Sequence, residues 1–242
     1  MSEAVDSFSS AADITADNGT LAAMSSADNI TWTGTFTPTA NTEDASNTLS
    51  LATSYTDTAG NAGPAATTAN YAVETLVPSV SSISTTADNQ SSVSITDNIT
   101  VTFSEAMDTT YVTINTSDTY CSGTIMVSSS SDNFSTGNCV KMSSAPASSN
   151  SNKTFTLDPY DNLTRLTTYL TRVTTGVKDT AGNAMGSQYE TSSGFTTDNI
   201  STAKLTVSNS SLTSGTTYYW KVVASDPKGG SAQSETWSFT VQ

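Results

Sequence analysis

The sequence predicts an all-β protein built of β-sandwiches, and three observations carry that prediction. Apolar residues alternate with polar ones over short runs, which is the period-two signature of half-buried strands. Clusters of turn-forming residues separate these runs at short intervals. The chain is also rich in hydroxyls: 87 of its 242 residues are Ser or Thr, while only 12% are charged. Thr suits the outward positions of a strand because its branched Cβ fits a pleated surface. High polarity and net charge also suit disorder, but disordered chains lack such alternation. No window holds a sustained helical stripe.

The strands follow in order. Residues 30–36 alternate Ile-Thr-Trp-Thr-Gly-Thr-Phe. Residues 70–73, 93–95, 99–103, 111–114, 155–157, 193–197, 203–207 and 237–241 are read as further strands. Turns are expected at Asp17-Asn18-Gly19, Ala59-Gly60-Asn61, Ala181-Gly182-Asn183 and Pro227-Lys228-Gly229-Gly230. Residues 128–131 and 143–152, dominated by Ser, are read as solvated loops. Many short strands with regular turns form sandwiches.

Composition excludes several classes of function. There are 22 acidic and 8 basic residues, no histidine, and a net charge of −14. A histidine-dependent triad, a His-ligated zinc site and a His-ligated haem are therefore ruled out. The negative charge argues against nucleic acid, whose phosphates require clustered Lys and Arg. No run approaches the roughly 20 apolar residues of a membrane span. Met1-Ser2-Glu3-Ala4-Val5-Asp6 does not have the form of an export signal, so any such signal is expected outside this sequence. No Ser-x-x-Lys run, Cys-x-x-Cys pair or phosphate-binding glycine loop is present, and no pair among the acids is marked for glycoside chemistry.

The chain repeats itself. Tyr55-Thr56-Asp57-Thr58-Ala59-Gly60-Asn61-Ala62 returns as Val177-Lys178-Asp179-Thr180-Ala181-Gly182-Asn183-Ala184. Upstream, Ser2-Glu3-Ala4-Val5-Asp6 matches Ser104-Glu105-Ala106-Met107-Asp108. These paired motifs resemble the bacterial Ig-like domains of large surface adhesins and S-layer-type proteins. On that resemblance, residues 1–77 are a partial Ig-like domain lacking its opening strands, and residues 78–199 are a complete one. Residues 200–242 differ: Leu212 to Ala224 and Trp237 to Val241 resemble the closing strands of a fibronectin type III domain. The linkers, 74–78 with Pro78 and 197–199, are short and poor in glycine, so neighbouring sandwiches are expected to sit end to end. The expected architecture is tandem Ig-like β-sandwiches, incomplete at both chain ends.

The resemblance places the chain outside the cell or on its surface. In that setting Cys121 and Cys139, 18 positions apart, are expected to form a disulfide that staples an insertion; buried free thiols are the alternative. Calcium is the expected structural cofactor. Asp57 and Asn61, and Asp179 and Asn183, stand four apart in tight turns, and Glu74 and Asp198 lie at the linkers; such oxygens suit Ca²⁺. In resembling adhesins, calcium at domain junctions stiffens the array. The competing reading is that Asp57 and Asp179 merely cap their turns through backbone N–H groups. In Tyr218-Tyr219-Trp220 the expectation is Tyr218 and Trp220 in a sandwich core with Tyr219 at its rim, and a sugar-stacking platform is the alternative. Sequons at Asn98, Asn162 and Asn209 follow from the composition. The expected function is a non-catalytic spacer, stalk or fibre module of a surface or secreted adhesin. Its expected partner is another copy, in a head-to-tail homopolymer joined by strand complementation between chain ends, or the neighbouring domains of a longer chain. A carbohydrate-binding accessory module of an exported enzyme is the alternative.

Overall fold

The architecture is that of a computed structural model, which describes residues 1–84, 86–199, 211–225 and 231–242. The chain forms two compact units, Met1–Asn199 and Ile200–Gln242.

The first unit opens with a single helical turn, α1 (Ser10–Asp13), and seven strands: β1 (Ile14–Ala16), β2 (Gly19–Leu21), β3 (Phe36–Pro38), β4 (Glu43–Asn47), β5 (Leu49–Leu51), β6 (Ala66–Thr67) and β7 (Tyr71–Glu74). They pair antiparallel as β1-β5-β6, β2-β3 and β4-β7, the last with a register shift between Asp44 and Asn47. Their core is small: Val5, Phe8 and Tyr55, backed by Ile14, Met24, Trp32 and Leu51. Phe8 meets Trp32 edge-on at 4.8 Å and Tyr55 at 6.2 Å. Buried Asn47 supplements the short ladder by donating to the Asp44 and Tyr71 carbonyls.

The second half holds β8 (Val80–Ser84), β9 (Ile99–Phe103), a 3-10 turn at Thr109–Tyr111, β10 (Ile125–Ser129), β11 (Ala147–Ser149), β12 (Thr154–Leu157), β13 (Thr168–Val173), β14 (Tyr189–Glu190) and β15 (Phe195–Thr196). One sheet runs β11-β12-β9-β8; the other runs β10-β13-β14, with β15 also on β13. The alternation in β9 works as expected. Ile99, Val101 and Phe103 are buried, while Thr100 and Thr102 face outward. Phe103 packs edge-on to Phe155, and Tyr169 stacks on Phe195. This core draws on both sheets, from Ile83 through Phe195. Each fully buried side chain of this size stabilises by about 1.5–3 kcal/mol, so this half carries most of the unit's apolar stabilisation.

Several expected elements come out differently. Residues 111–114 are not a strand. Asp108 accepts the Thr110 N–H and starts the 3-10 turn, a local bond that competes with a ladder. Of residues 30–36 only Phe36 enters a strand, β3, while Thr33 makes one bridge to Ser25. Residues 93–95 contribute a single parallel bridge, Val93 to Thr197. Residues 128–131 are not simply a solvated loop: Ser128 ends up fully buried in β10, where its hydroxyl donates to the Asn138 carbonyl and accepts the Phe134 N–H. Residues 143–152 contain β11, an exposed edge strand.

In the second unit, β16 (Thr217–Trp220) pairs with β19 (Trp237–Thr240), and β17 (Val223–Ser225) pairs with β18 (Ser231–Gln233). The expected strand at 203–207, the turn at 227–230 and the sequon at Asn209 lie outside the described residues.

Candidate functional site

The repeated motifs fold alike. In each copy the Asp of Asp-Thr-Ala-Gly-Asn accepts backbone N–H groups from its own turn. Asp57 Oδ1 takes those of Ala59 and Asn61, and Asp179 Oδ1 takes those of Ala181, Gly182 and Asn183. The turn closes at a glycine with positive φ, +86° at Gly60 and +99° at Gly182, a region open to glycine at no steric cost. The upstream motif bridges onto the same Asp, Val5 to Asp57 and Met107 to Asp179. Both Asp residues therefore cap their turns. The two Asn side chains donate to the aspartates, at 2.7 Å and 2.8 Å, and so do not turn a ligand oxygen toward them. Hydrogen bonding from Asn61, side chain then backbone, holds the Asp57 carboxyl below its ordinary pKa.

At the second copy the geometry goes further. Glu74, at the end of β7, and Glu105, just beyond β9, each bring a carboxylate oxygen into mutual reach with Asp179, all within 4.8 Å of one another. Asp179 is buried and the two glutamates are half-buried. Asn183 Nδ2 lies 3.4 Å from Glu74 Oε1, and the Leu76 N–H donates to the same oxygen at 2.7 Å. Glu43 stands directly across the β4-β7 ladder from Glu74, a like-charge pairing that costs stability. Glu105 bears the consequence. Burial, then the charges of Asp179, Glu74 and Glu43, push its carboxyl up to about 7. A hydrogen bond with the Asp179 side chain also favours the acid form, while Oε1 is buried and makes no hydrogen bond.

Of the six residues expected to ligate calcium, Glu74, Asp179 and Asn183 come together here. Asp57 and Asn61 form their own turn, and Asp198 pairs with Arg165 at 3.2 Å. Glu105 was not among the expected ligands. The signal was in the repeat itself, since the Glu of Ser-Glu-Ala-Met-Asp must approach the Asp that its neighbour Met107 bridges.

The donor set fits a hard cation. Ca²⁺ prefers carboxylate oxygens at about 2.3–2.6 Å, and oxygens within 4.8 Å of one another are close to the spacing one ion spans. An orphaned, buried Glu105 oxygen is what a missing ligand contact leaves behind.

Elsewhere, Cys121 and Cys139 form a disulfide. In the second unit Trp220 is 48% exposed, Trp237 43% and Tyr219 73%, so Trp220 does not lie in a sandwich core. Its ring meets Trp237 at 4.6 Å, and Tyr218 stacks on Phe239 at 5.8 Å. Cross-strand partners thus shield ring faces of each pair. Among the described residues no second sheet layer covers them.

Two family models, each described as a bacterial Ig-like domain, match residues 1–73 and 74–197. The chain belongs to the bacterial Ig-like domain family. All three residues of the carboxylate cluster fall within the second matched region, Glu74 as its first residue. Among solved structures, the chain is similar to the S-layer protein rSbsC(31-844), with 21% identity over 65% of this chain and 19% of that one, at a TM-score of 0.35. It is also similar to domains 1–6 of surface layer protein SbsC (20% identity, 65% of this chain, 19% of that one, TM-score 0.35). The N-terminal part of SbsC matches at 17% identity over 69% of this chain and 44% of that one, with a TM-score of 0.36. The chain thus spans about a fifth of the first two. No curated protein matches it.

Proposed function

We propose that this chain is a non-catalytic structural module of a bacterial surface or secreted protein, whose two Ig-like domains are clamped together by a divalent cation. Family membership supports the structural role. The observation that carries the clamp is the Glu74–Glu105–Asp179 cluster with its buried, unpartnered Glu105 oxygen. Glu74 closes β7, which pairs with β4 of the first half, and is the first residue of the second matched region, while Glu105 and Asp179 lie deeper within that region. Three converging carboxylates repel one another, and an ion of calcium type converts that repulsion into a cross-link between β7 and the second half. Turn-capping by Asp179 is compatible with this, because Oδ1 caps the turn while one carboxylate oxygen of Asp179 lies within 4.8 Å of those of the two glutamates. The test is the melting temperature of the full chain in millimolar calcium against chelator. A rise supports the clamp, and an unchanged value leaves only turn-capping.

A second reading, self-association, is favoured by the second unit. Tyr218, Trp220, Trp237 and Phe239 share one face of the β16-β19 ladder, and three of them are more than 40% exposed. An isolated two-stranded sheet is marginal in water. A neighbouring copy that offers its own strand edge, such as two-residue β6 beside the cavity lined by Val5, Leu51 and Tyr55, could cover that face by strand addition. Such a head-to-tail contact need not close and would give a filament. Light scattering against concentration tests it. Growth that is lost in Trp220→Ala/Trp237→Ala supports the reading, and a concentration-independent monomer removes it.

A further inference from the structure

The two sheets of the second Ig-like domain are finished differently on their outer faces. The β8-β9-β12-β11 face carries Ser and Thr. The β10-β13 face is partly roofed by the insertion running through residues 130–139, which has a small core of its own: Phe134, Cys139 and Leu170, with Cys121 and Met126 against them. The Cys121–Cys139 disulfide ties the insertion down. Arg172 lies 3.9 Å over the Phe134 ring and is held from behind by Glu190 at 2.7 Å. Asn133 and Phe134 both sit at positive φ, +45° and +58°. A bulky residue rarely adopts that conformation, and it persists where its surroundings impose it. The disulfide and the Arg172–Phe134 contact hold this loop outside the sandwich, and loops held on a scaffold are where binding residues concentrate.

Beside it is a shallow cavity, open to solvent, of about 370 Å³, a volume at the small end of ligand sites, roughly 300–1,000 Å³. Its chemistry is uniform. Asp132 accepts the Ser129 hydroxyl proton at 2.6 Å through Oδ2. Asn138 donates its amide N–H to Ser135 and keeps its amide oxygen as an acceptor. Tyr169 accepts the Thr164 N–H at 2.9 Å through its hydroxyl oxygen, which leaves the phenolic proton to donate. Thr119 and Thr164 add hydroxyls, and Val140 with Cys139 gives an apolar floor. No Lys or Arg lines the cavity, so it offers an anion nothing. One carboxylate among alcohols falls short of the charged oxygen shell that Ca²⁺ prefers. Acceptors and donors interspersed over an apolar floor match a ligand that is itself covered in hydroxyls.

We propose that this cavity binds the end of a neutral polysaccharide, with Asp132 and Asn138 accepting from sugar hydroxyls and Tyr169 and Thr164 donating to them. The disulfide and the strained Phe134 turn pre-form the site, so little ordering is needed on binding. The module would then hold a glycan surface as well as span distance, independently of any cation at the domain junction.

The test is calorimetric titration of the full chain, in chelator, with dextran, mannan and cello-oligosaccharides. At least one should bind. Asp132→Ala and Thr164→Val should each weaken it tenfold or more, with near-ultraviolet circular dichroism unchanged. Ser149→Ala, an exposed hydroxyl on the opposite sheet, should bind as the parent does. Reducing the disulfide should weaken binding several-fold. Absence of binding to all three polymers overturns the proposal. So does parent-like binding by both site variants, or loss of binding in Trp237→Ala, which would move the site to the β16-β19 hairpin.

Discussion

Replacing Glu105 with Gln should make the protein more stable at neutral pH when no divalent cation is present. An ordinary glutamate titrates at 4.5, and in the fold Glu105 titrates at about 7, chiefly because burial penalises its charge. An acid whose pKa is raised by folding binds its proton more tightly in the folded state. Stability is therefore greatest below about 4.5, falls as pH rises through 4.5 to 7, and is fully reduced above 7. At about 1.4 kcal/mol per pH unit, the ceiling on that loss is about 3.4 kcal/mol. Partial exposure of the side chain screens it to about 1–2 kcal/mol. Glu105→Gln keeps the shape and removes the charge. It should exceed the parent by about a quarter of the full effect at pH 5 and by about 1–2 kcal/mol at pH 8, a rise of about 3–6 °C in Tm for a unit of this size. Calorimetry at pH 5 and pH 8 in chelator reads this directly. Going lower confounds the comparison, because Asp57 and Asp108, which cap their own turns, and Asp88, which accepts the backbone N–H groups of residues 192–194, have lowered pKa values and lose those bonds as pH falls below 3.8. A parent protein equally stable at both pH values, or a variant no more stable than the parent at pH 8, would refute this reasoning.

Three further outcomes are expected. Cys121→Ser/Cys139→Ser should cost about 3 kcal/mol, the closure entropy of a loop of this length, with urea unfolding of the oxidised parent as reference; a cost near zero would mean that the insertion is held by Phe134 and Leu170 alone. Gly194→Ala should destabilise by about 1–3 kcal/mol, because φ is +72° there and a Cβ would lie 2.1 Å from the Tyr169 carbonyl oxygen; a neutral result would show that the β13-β15 contact relaxes. Phe155→Ala, which empties a site at the centre of the inter-sheet core, should cost about 3–5 kcal/mol, measured by the urea midpoint at constant m-value; a loss under 1 kcal/mol would contradict the packing described.

What the sequence revealed depended on how far apart the interacting residues lie. Strands such as β9 and β12 were legible because burial repeats every second residue within a few positions. The Asp-Thr-Ala-Gly-Asn turns were legible because Asp179 finds all its backbone donors within four residues. Residues 111–114 misled because Asp108, just outside the alternating run, captures the backbone first. Ser128 misled because its burial is set by Phe134 and Asn138 folding back over it. The carboxylate cluster was half legible. Glu74 and Asp179 stood out by position and motif, but Glu105 joins them only after β9 and the turn come together. Trp220 looked like a core residue by its alternation with Tyr219, yet its described surroundings supply one partner ring and no second layer.

Calcium titration of the full chain at pH 7.5 tests the domain-junction clamp most directly. One site is expected, with a Kd on the order of 10⁻⁴–10⁻³ M, the range of extracellular calcium modules. Affinity should be at least tenfold weaker in Glu105→Gln, and the parent should bind more weakly at pH 5.5, where a proton occupies the Glu105 carboxylate. No heat at millimolar calcium, or equal affinity in Glu105→Gln, would contradict the clamp.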